Sequence, residues 1–154
     1  MKIIKVREGN KGIYLHLCQA YEAEFSALTE KLPDESGLFA LDTPLTKPFL
    51  GLLWYQDQDQ VPVGFANIRL GKEYNKVCEF YVIPAVRKKG LGKALAFEIF
   101  QSFPGKWDVR QLQAAKQAQQ FWRATIGAFT GNNFQESQLN DPDWGEVICQ
   151  RFQS

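Results

Sequence analysis

Residues 80–100 read FYVIPAVRKKGLGKALAFEIF. The residues up to Pro84, with Val77, Cys78 and Glu79 before them, are rich in β-formers and predict a strand over 77–84. Pro84 ends it, because proline has no backbone N–H to give to a sheet. Leu91, Ala94, Leu95 and Ile99 then recur at helical spacing and predict a helix from about residue 90 to 103, stopped by Pro104-Gly105. Between strand and helix, Arg87, Lys88, Lys89 and Lys93 surround Gly90 and Gly92. The first N–H groups of a helix lack intrahelical partners and lie at the positive end of its dipole. Glycines let a ligand approach the backbone, and the cations add charge, so this corner has the makings of a pyrophosphate site. The plainer reading is a solvated basic turn that opens an amphipathic helix. A Walker loop does not fit, since Ala94 follows Lys93 where Ser or Thr is required. A dinucleotide fingerprint does not fit either, since Leu95 stands where its last glycine belongs.

The rest of the chain supplies a mixed α/β frame. Residues 2–7 alternate as a short strand, and Asn10 is placed to cap a helix with its side-chain oxygen. Tyr14, Leu17, Cys18, Tyr21, Phe25 and Leu28 mark one face of that helix. The stretch up to Pro48 reads as a loop with at most a short helix near 36–41. FLGLLWY (49–55) and GFANIRL (64–70) form a hairpin about the turn-rich QDQDQVPVG, residues 56–64. KWDVRQLQ (106–113) is a further strand, and a helix over about 116–129 carries Ala118, Phe121, Trp122, Thr125 and Phe129 on one face. The tail makes two strands joined by Asp141-Pro142-Asp143-Trp144-Gly145. The order β-α-(α)-β-β-β-α-β-α-β-β predicts a single α/β domain over residues 1–154.

Composition narrows the function. With 154 residues and 45% hydrophobic content the chain can bury a core, and a net charge of +1 argues against a protein built to coat nucleic acid. No apolar run approaches the roughly 20 residues of a membrane span, and the N-terminal residues lack the pattern of a secretory signal. Cys18, Cys78 and Cys149 are far apart and set among apolar neighbours. They read as buried thiols of a cytoplasmic protein rather than as disulfides or metal ligands, and no metal is expected.

The corner resembles motif A of the GCN5-related N-acetyltransferase superfamily. The pattern is Arg or Gln, two residues, Gly, one residue, then Gly or Ala, matched by Arg87-Lys88-Lys89-Gly90-Leu91-Gly92. With the strand before it and the helix after it, the resemblance extends over most of the chain. It implies an acyl-CoA N-acyltransferase fold, α/β with an α+β mixed sheet. That central sheet is mostly antiparallel and splayed at the cofactor site, with helices on both faces. It also implies acetyl-CoA as co-substrate. Backbone N–H groups of Arg87, Lys88, Lys89, Gly90, Leu91, Gly92 and Lys93 would take the pyrophosphate. The main chain of Phe80, Tyr81 and Val82 would pair with the pantetheine arm, and the start of the 106–113 strand would form the other wall.

The resemblance also marks departures. Many members place an Asn at the start of the next helix and a Phe-Tyr pair within it, whose hydroxyl protonates the departing thiolate. Here Ala115 and Trp122 stand at the Asn and Tyr positions, and an indole N–H cannot serve as that acid. Glu79 is the chemical candidate for a base, because burial on its strand would lift its pKa into a useful range; the plainer reading is a surface or ion-paired carboxylate. Tyr81, on the same strand face, is the candidate acid. His16 reads as a surface residue of the first helix. Glu22, Glu24, Glu30, Asp34, Glu35 and Asp42 face only Lys31, and read either as an acidic rim suited to an amine, polyamine or basic peptide end or as a solubilising helix face. Tyr21, Phe25, Phe39 and Trp54 read as pocket lining or as core. Two functions follow: an N-acetyltransferase acting on a primary amine of a small molecule or peptide by direct attack, or a CoA-binding module without turnover. No nucleic-acid or membrane partner is expected, and homodimers are common in the superfamily.

Overall fold

The computed structural model describes residues 2–56 and 61–154. Its elements run β1 (Lys2–Lys5), α1 (Lys11–Thr29), β2 (Phe49–Tyr55), β3 (Pro62–Arg69), β4 (Asn75–Val82), α2 (Leu91–Ser102), β5 (Lys106–Leu112), α3 (Lys116–Thr130), β6 (Gln135–Asp141) and β7 (Gly145–Gln153). The strands form a seven-stranded mixed sheet in the order β1-β2-β3-β4-β5-β7-β6. β1–β2, β2–β3, β5–β7 and β6–β7 pair antiparallel. β4 and β5 pair parallel, with Asn75, Val77 and the residue between them set against Trp107 through Val109. This is the expected element order. No second helix forms between α1 and β2. There Asp34 instead accepts from the Ser36 and Leu38 backbone N–H groups and closes a turn. Residues 57–60 of the 56–64 turn lie outside the described residues.

The chain divides into two compact units. One holds the residues up to Arg69 with Cys78–Val86, and the other holds Leu70–Val77 with Arg87–Ser154. In the first, Tyr14 and Cys18 of α1 pack with Leu53, Phe65 and Tyr81. The Tyr14 ring meets Phe65 edge-on at 5.0 Å, a geometry that adds to the gain from burial. Gly64 has no room for a side chain, because a Cβ there would collide with the Tyr81 carbonyl oxygen. β3 therefore passes β4 backbone to backbone beside Tyr81.

The second unit is organised around Phe100 of α2. Its ring lies 5.1 Å from Trp107, 5.2 Å from Phe129 and 4.8 Å from Phe152. Within it Asp108 is buried and accepts from Arg110 Nε at 2.7 Å and Arg151 Nε at 2.9 Å. Burial pushes the Asp108 carboxyl up, but the two guanidinium groups outweigh it and hold the carboxyl below its usual range.

Two local expectations are corrected. Asn10 does occupy the N-cap position, but its Oδ1 accepts from the backbone N–H of Arg7 at 2.7 Å and its Nδ2 donates to the Lys5 carbonyl. The side chain thus ties the strand end to the helix start instead of capping the first turn. Cys18 and Cys149 are buried thiols, whereas Cys78 is exposed. It alternates with buried Glu79 on β4 and so points to the opposite face. Among the described residues no helix is long and apolar enough to cross a membrane.

Candidate active site

Glu79 lies on β4 in the first unit and is 7% exposed. A carboxylate there has lost most of its water, and what replaces water decides its charge. Thr43 and Tyr14 supply hydrogen bonds, the Tyr14 hydroxyl reaching Glu79 Oε2 at 3.5 Å. Glu22 and Asp42 add like charge. Burial is the largest influence, and with the neighbouring carboxylates it outweighs the two donors. The Glu79 carboxyl is pushed up to about 7. A carboxyl so placed is shared between its two protonation states near neutrality, which is what a general base requires.

The groups around it are held by α1 and the segment that follows. Burial pushes the Tyr14 and Tyr21 hydroxyls far up, so both stay protonated and act as donors. Cys18 is pushed up to about 12 for the same reason, which makes it an inert thiol rather than a nucleophile. Tyr21 stacks on Phe25 at 5.3 Å and meets Phe65 and Tyr81 edge-on. Glu22, expected on the exposed rim, is instead buried, because it falls on the same helix face as Tyr14 and Cys18. Lys31 folds back to it at 3.0 Å and to Asp42 at 3.1 Å. Glu24, Glu30, Asp34, Glu35 and Asp42 remain exposed. Lys31→Met leaves the Glu22 carboxylate buried without its cation, and urea unfolding at neutral pH should show a loss of about 1–3 kcal/mol. Lys31→Arg should recover most of it.

The basic corner belongs to the second unit. Gly90 is the N-cap of α2 with φ +78°, and Lys88 is left-handed at φ +62°. Gly90 is needed for that backbone conformation, since a Cβ there meets nothing within 4 Å. The open space is also what an incoming anion requires. The α2 N-terminus follows at once, and Lys88 and Lys89 are exposed beside it. Lys93 lies over the Phe97 ring at 5.5 Å, one turn along. These residues fit a diphosphate: a helix N-terminus, a glycine in open space and cations of one sign.

Of the residues singled out in the sequence, Glu79 and Tyr81 are both buried within the first unit, and His16 is exposed on α1. Trp54 is core, with its ring 4.7 Å from Phe80. Ala115 caps α3 and supplies no side-chain hydrogen bond. Trp122 is buried against Phe121 and Phe100. Tyr14, Thr43 and Asn67 are additions. Tyr14 read as one more apolar position on a helix face. Asn67 left a detectable signal, as the polar residue inside the otherwise buried run of β3. Among the described residues no group of His, Cys, Asp and Glu converges to hold a metal ion.

Residues 13–127 match the model of the acetyltransferase (GNAT) family. Similar solved structures include Tetrahymena GCN5, at 13% identity and a TM-score of 0.64, covering 97% of this chain and 94% of that one. PaiA N-acetyltransferase from Thermoplasma acidophilum, solved in complex with coenzyme A, gives 11% identity and a TM-score of 0.63 with 98% of each chain covered. The ribosomal-protein-S18-alanine N-acetyltransferase from Escherichia coli gives 14% and 0.59, covering 97% of this chain and 90% of that one. No curated protein sequence matches the chain closely enough to count as a relative.

Proposed function

The chain belongs to the acetyltransferase (GNAT) family, and on that premise we propose that it moves an acetyl group from acetyl-CoA to a primary amine by direct attack. The observation that carries the reading is Glu79, a buried carboxyl pushed up to about 7 beside the Tyr14 hydroxyl. An acceptor amine reaches the enzyme as an ammonium and must lose a proton before its lone pair can attack. Glu79 takes that proton, directly or through water. Bound acetyl-CoA supplies the thioester, whose carbon–sulfur bond breaks as the carbon–nitrogen bond forms. Tyr81, two residues along the same face of β4, is the proposed acid for the departing thiolate.

By similarity to the family, the backbone of Arg87, Lys88, Lys89, Gly90, Leu91, Gly92 and Lys93 binds the pyrophosphate. The main chain of Phe80, Tyr81 and Val82 pairs with the pantetheine arm. The local conformation at Gly90 supports the first assignment, since a left-handed glycine in open space at a helix start is what an anion cradle requires. The exposed carboxylates between α1 and β2 favour a cationic acceptor, a small amine or a basic peptide end.

The test pairs calorimetric titration of acetyl-CoA with a panel of primary amines, reading free thiol release. Micromolar binding and release on at least one amine are expected. Binding without release across amines of all sizes would make the chain a CoA-binding module, in keeping with Ala115 and Trp122. Absence of binding would overturn both.

A further inference from the structure

Asn67 of β3 is fully buried, and its amide is engaged at one end only. Its Nδ2 donates to the Pro44 carbonyl at 3.2 Å and to the Tyr14 hydroxyl oxygen at 3.1 Å. A carbonyl can only accept, so the Pro44 contact fixes which end of the amide is nitrogen. Asn67 Oδ1 is buried with no hydrogen-bond partner among the described residues. A buried amide that leaves its acceptor unmet carries a cost, which the two bonds its Nδ2 donates must offset. Its use must lie in what Nδ2 does.

With its oxygen accepting from Asn67, the Tyr14 hydroxyl has its proton turned away from Asn67 and towards its own acceptors. These are the Cys18 sulfur and Glu79 Oε2, the latter 3.5 Å away in a long hydrogen bond of the kind that tightens when a site is loaded. We propose that Asn67 is a positioning residue, which aims the Tyr14 hydroxyl at Glu79 and thereby favours the ionised form of that carboxyl against the burial that opposes it. The proposal rests on the reading of Glu79 as the base.

Other groups act on Glu79 as well. From α1, Glu22 adds like charge, while Cys18 and Tyr21 lie close enough to feel the Glu79 charge. From the following segment come Asp42 and Thr43, with Lys31 pairing both Asp42 and Glu22. Tyr81 shares its strand. None of these bonds to Asn67, whose side chain meets Tyr14 and Pro44. Any influence of Asn67 on Glu79 by hydrogen bonding therefore runs through Tyr14. A donor to a carboxylate favours its ionised form, so loss of the donor raises the carboxyl midpoint.

The experiment titrates the Glu79 carboxyl by NMR in the full chain labelled with carboxyl-13C glutamate. The resonance that disappears in Glu79→Gln identifies Glu79. Wild type, Tyr14→Phe, Asn67→Leu and the double variant make a cycle. Tyr14→Phe should raise the Glu79 midpoint by roughly 0.5–1 pH unit. Asn67→Leu should raise it by a similar or smaller amount, and the double variant should match Tyr14→Phe alone. An unchanged midpoint in Asn67→Leu, or an Asn67 effect that persists in full when Tyr14 is already Phe, overturns the proposal. Asn67→Ala reads the same cycle if the leucine variant does not fold. With an amine that turns over, Asn67→Leu should lower kcat at pH 7 with KM nearly unchanged. The titration needs no turnover, so failure of the base assignment, read as an unaltered rate in Glu79→Gln, is separable from failure of this chain.

Discussion

Glu79→Gln is expected to slow acetyl transfer by roughly 10²–10⁴-fold, the range that a positioned base contributes, while leaving acetyl-CoA affinity within about twofold. The glutamine keeps the size and much of the hydrogen bonding of the side chain but cannot take a proton. Cofactor binding is proposed to depend on the backbone at 80–82 and 87–93, which the substitution does not alter. The same variant has a signature in stability. Glu79 is raised in the folded protein, from an ordinary 4.5 to about 7. Protonation of Glu79 therefore favours the fold in full below about pH 4.5, and this advantage is lost as pH rises through about 7. Wild type should lose up to about 3 kcal/mol across that window relative to Glu79→Gln, whose neutral amide does not titrate. Thermal melts at pH 5 and pH 8 check it: the variant should gain on wild type only at the higher pH. Equal melting behaviour at both would show that the carboxyl is hydrated rather than buried.

The second large effect is expected at Gly90. Gly90→Glu places a side chain on a backbone at φ +78°, and a carboxylate at the helix end where a pyrophosphate is proposed to lie. The strain of a left-handed non-glycine residue is about 1–2 kcal/mol. The Cβ meets no neighbouring atom within 4 Å, so the fold should survive. Electrostatic repulsion then governs the result, and the Kd for acetyl-CoA should rise by at least about 100-fold, which is about 2.7 kcal/mol. Gly90→Ala carries the strain without the charge and should weaken binding far less. Calorimetry on the three proteins separates the two causes. An unchanged Kd in Gly90→Glu would remove the corner from the cofactor site.

Much of the frame was legible because its signals are local. The alternation and β-branched content around residues 77–82, and the spacing of Phe121, Trp122, Thr125 and Phe129, depend only on neighbours in sequence. β4 and α3 lie close to where those patterns put them. The corner was legible for the same reason, since a left-handed glycine before a helix is a local requirement. The surroundings of Glu79 were not. Tyr14 and Asn67 are 53 residues apart in sequence, and Tyr14 and Glu79 are 65 apart. Only the packing of α1 over β3 and β4 brings them together. Glu22 shows the limit of composition. It is one acid among several in a charged stretch, yet its helical phase with Tyr14 and Cys18 buries it, and that phase was available to be read. Asn10 shows a different limit. The residue type suits a cap, but one donor, the Arg7 N–H, and one acceptor, the Lys5 carbonyl, claim its amide instead.

The most direct test of Glu79 as the base is the ratio of wild-type to Glu79→Gln kcat/KM as a function of pH, with one amine and acetyl-CoA throughout. Taking the ratio cancels the titration of the amine itself, which both proteins share. The ratio should climb tenfold per pH unit on the acid side, turn over at about 7 and stay flat above it. A ratio that does not vary with pH would contradict the account.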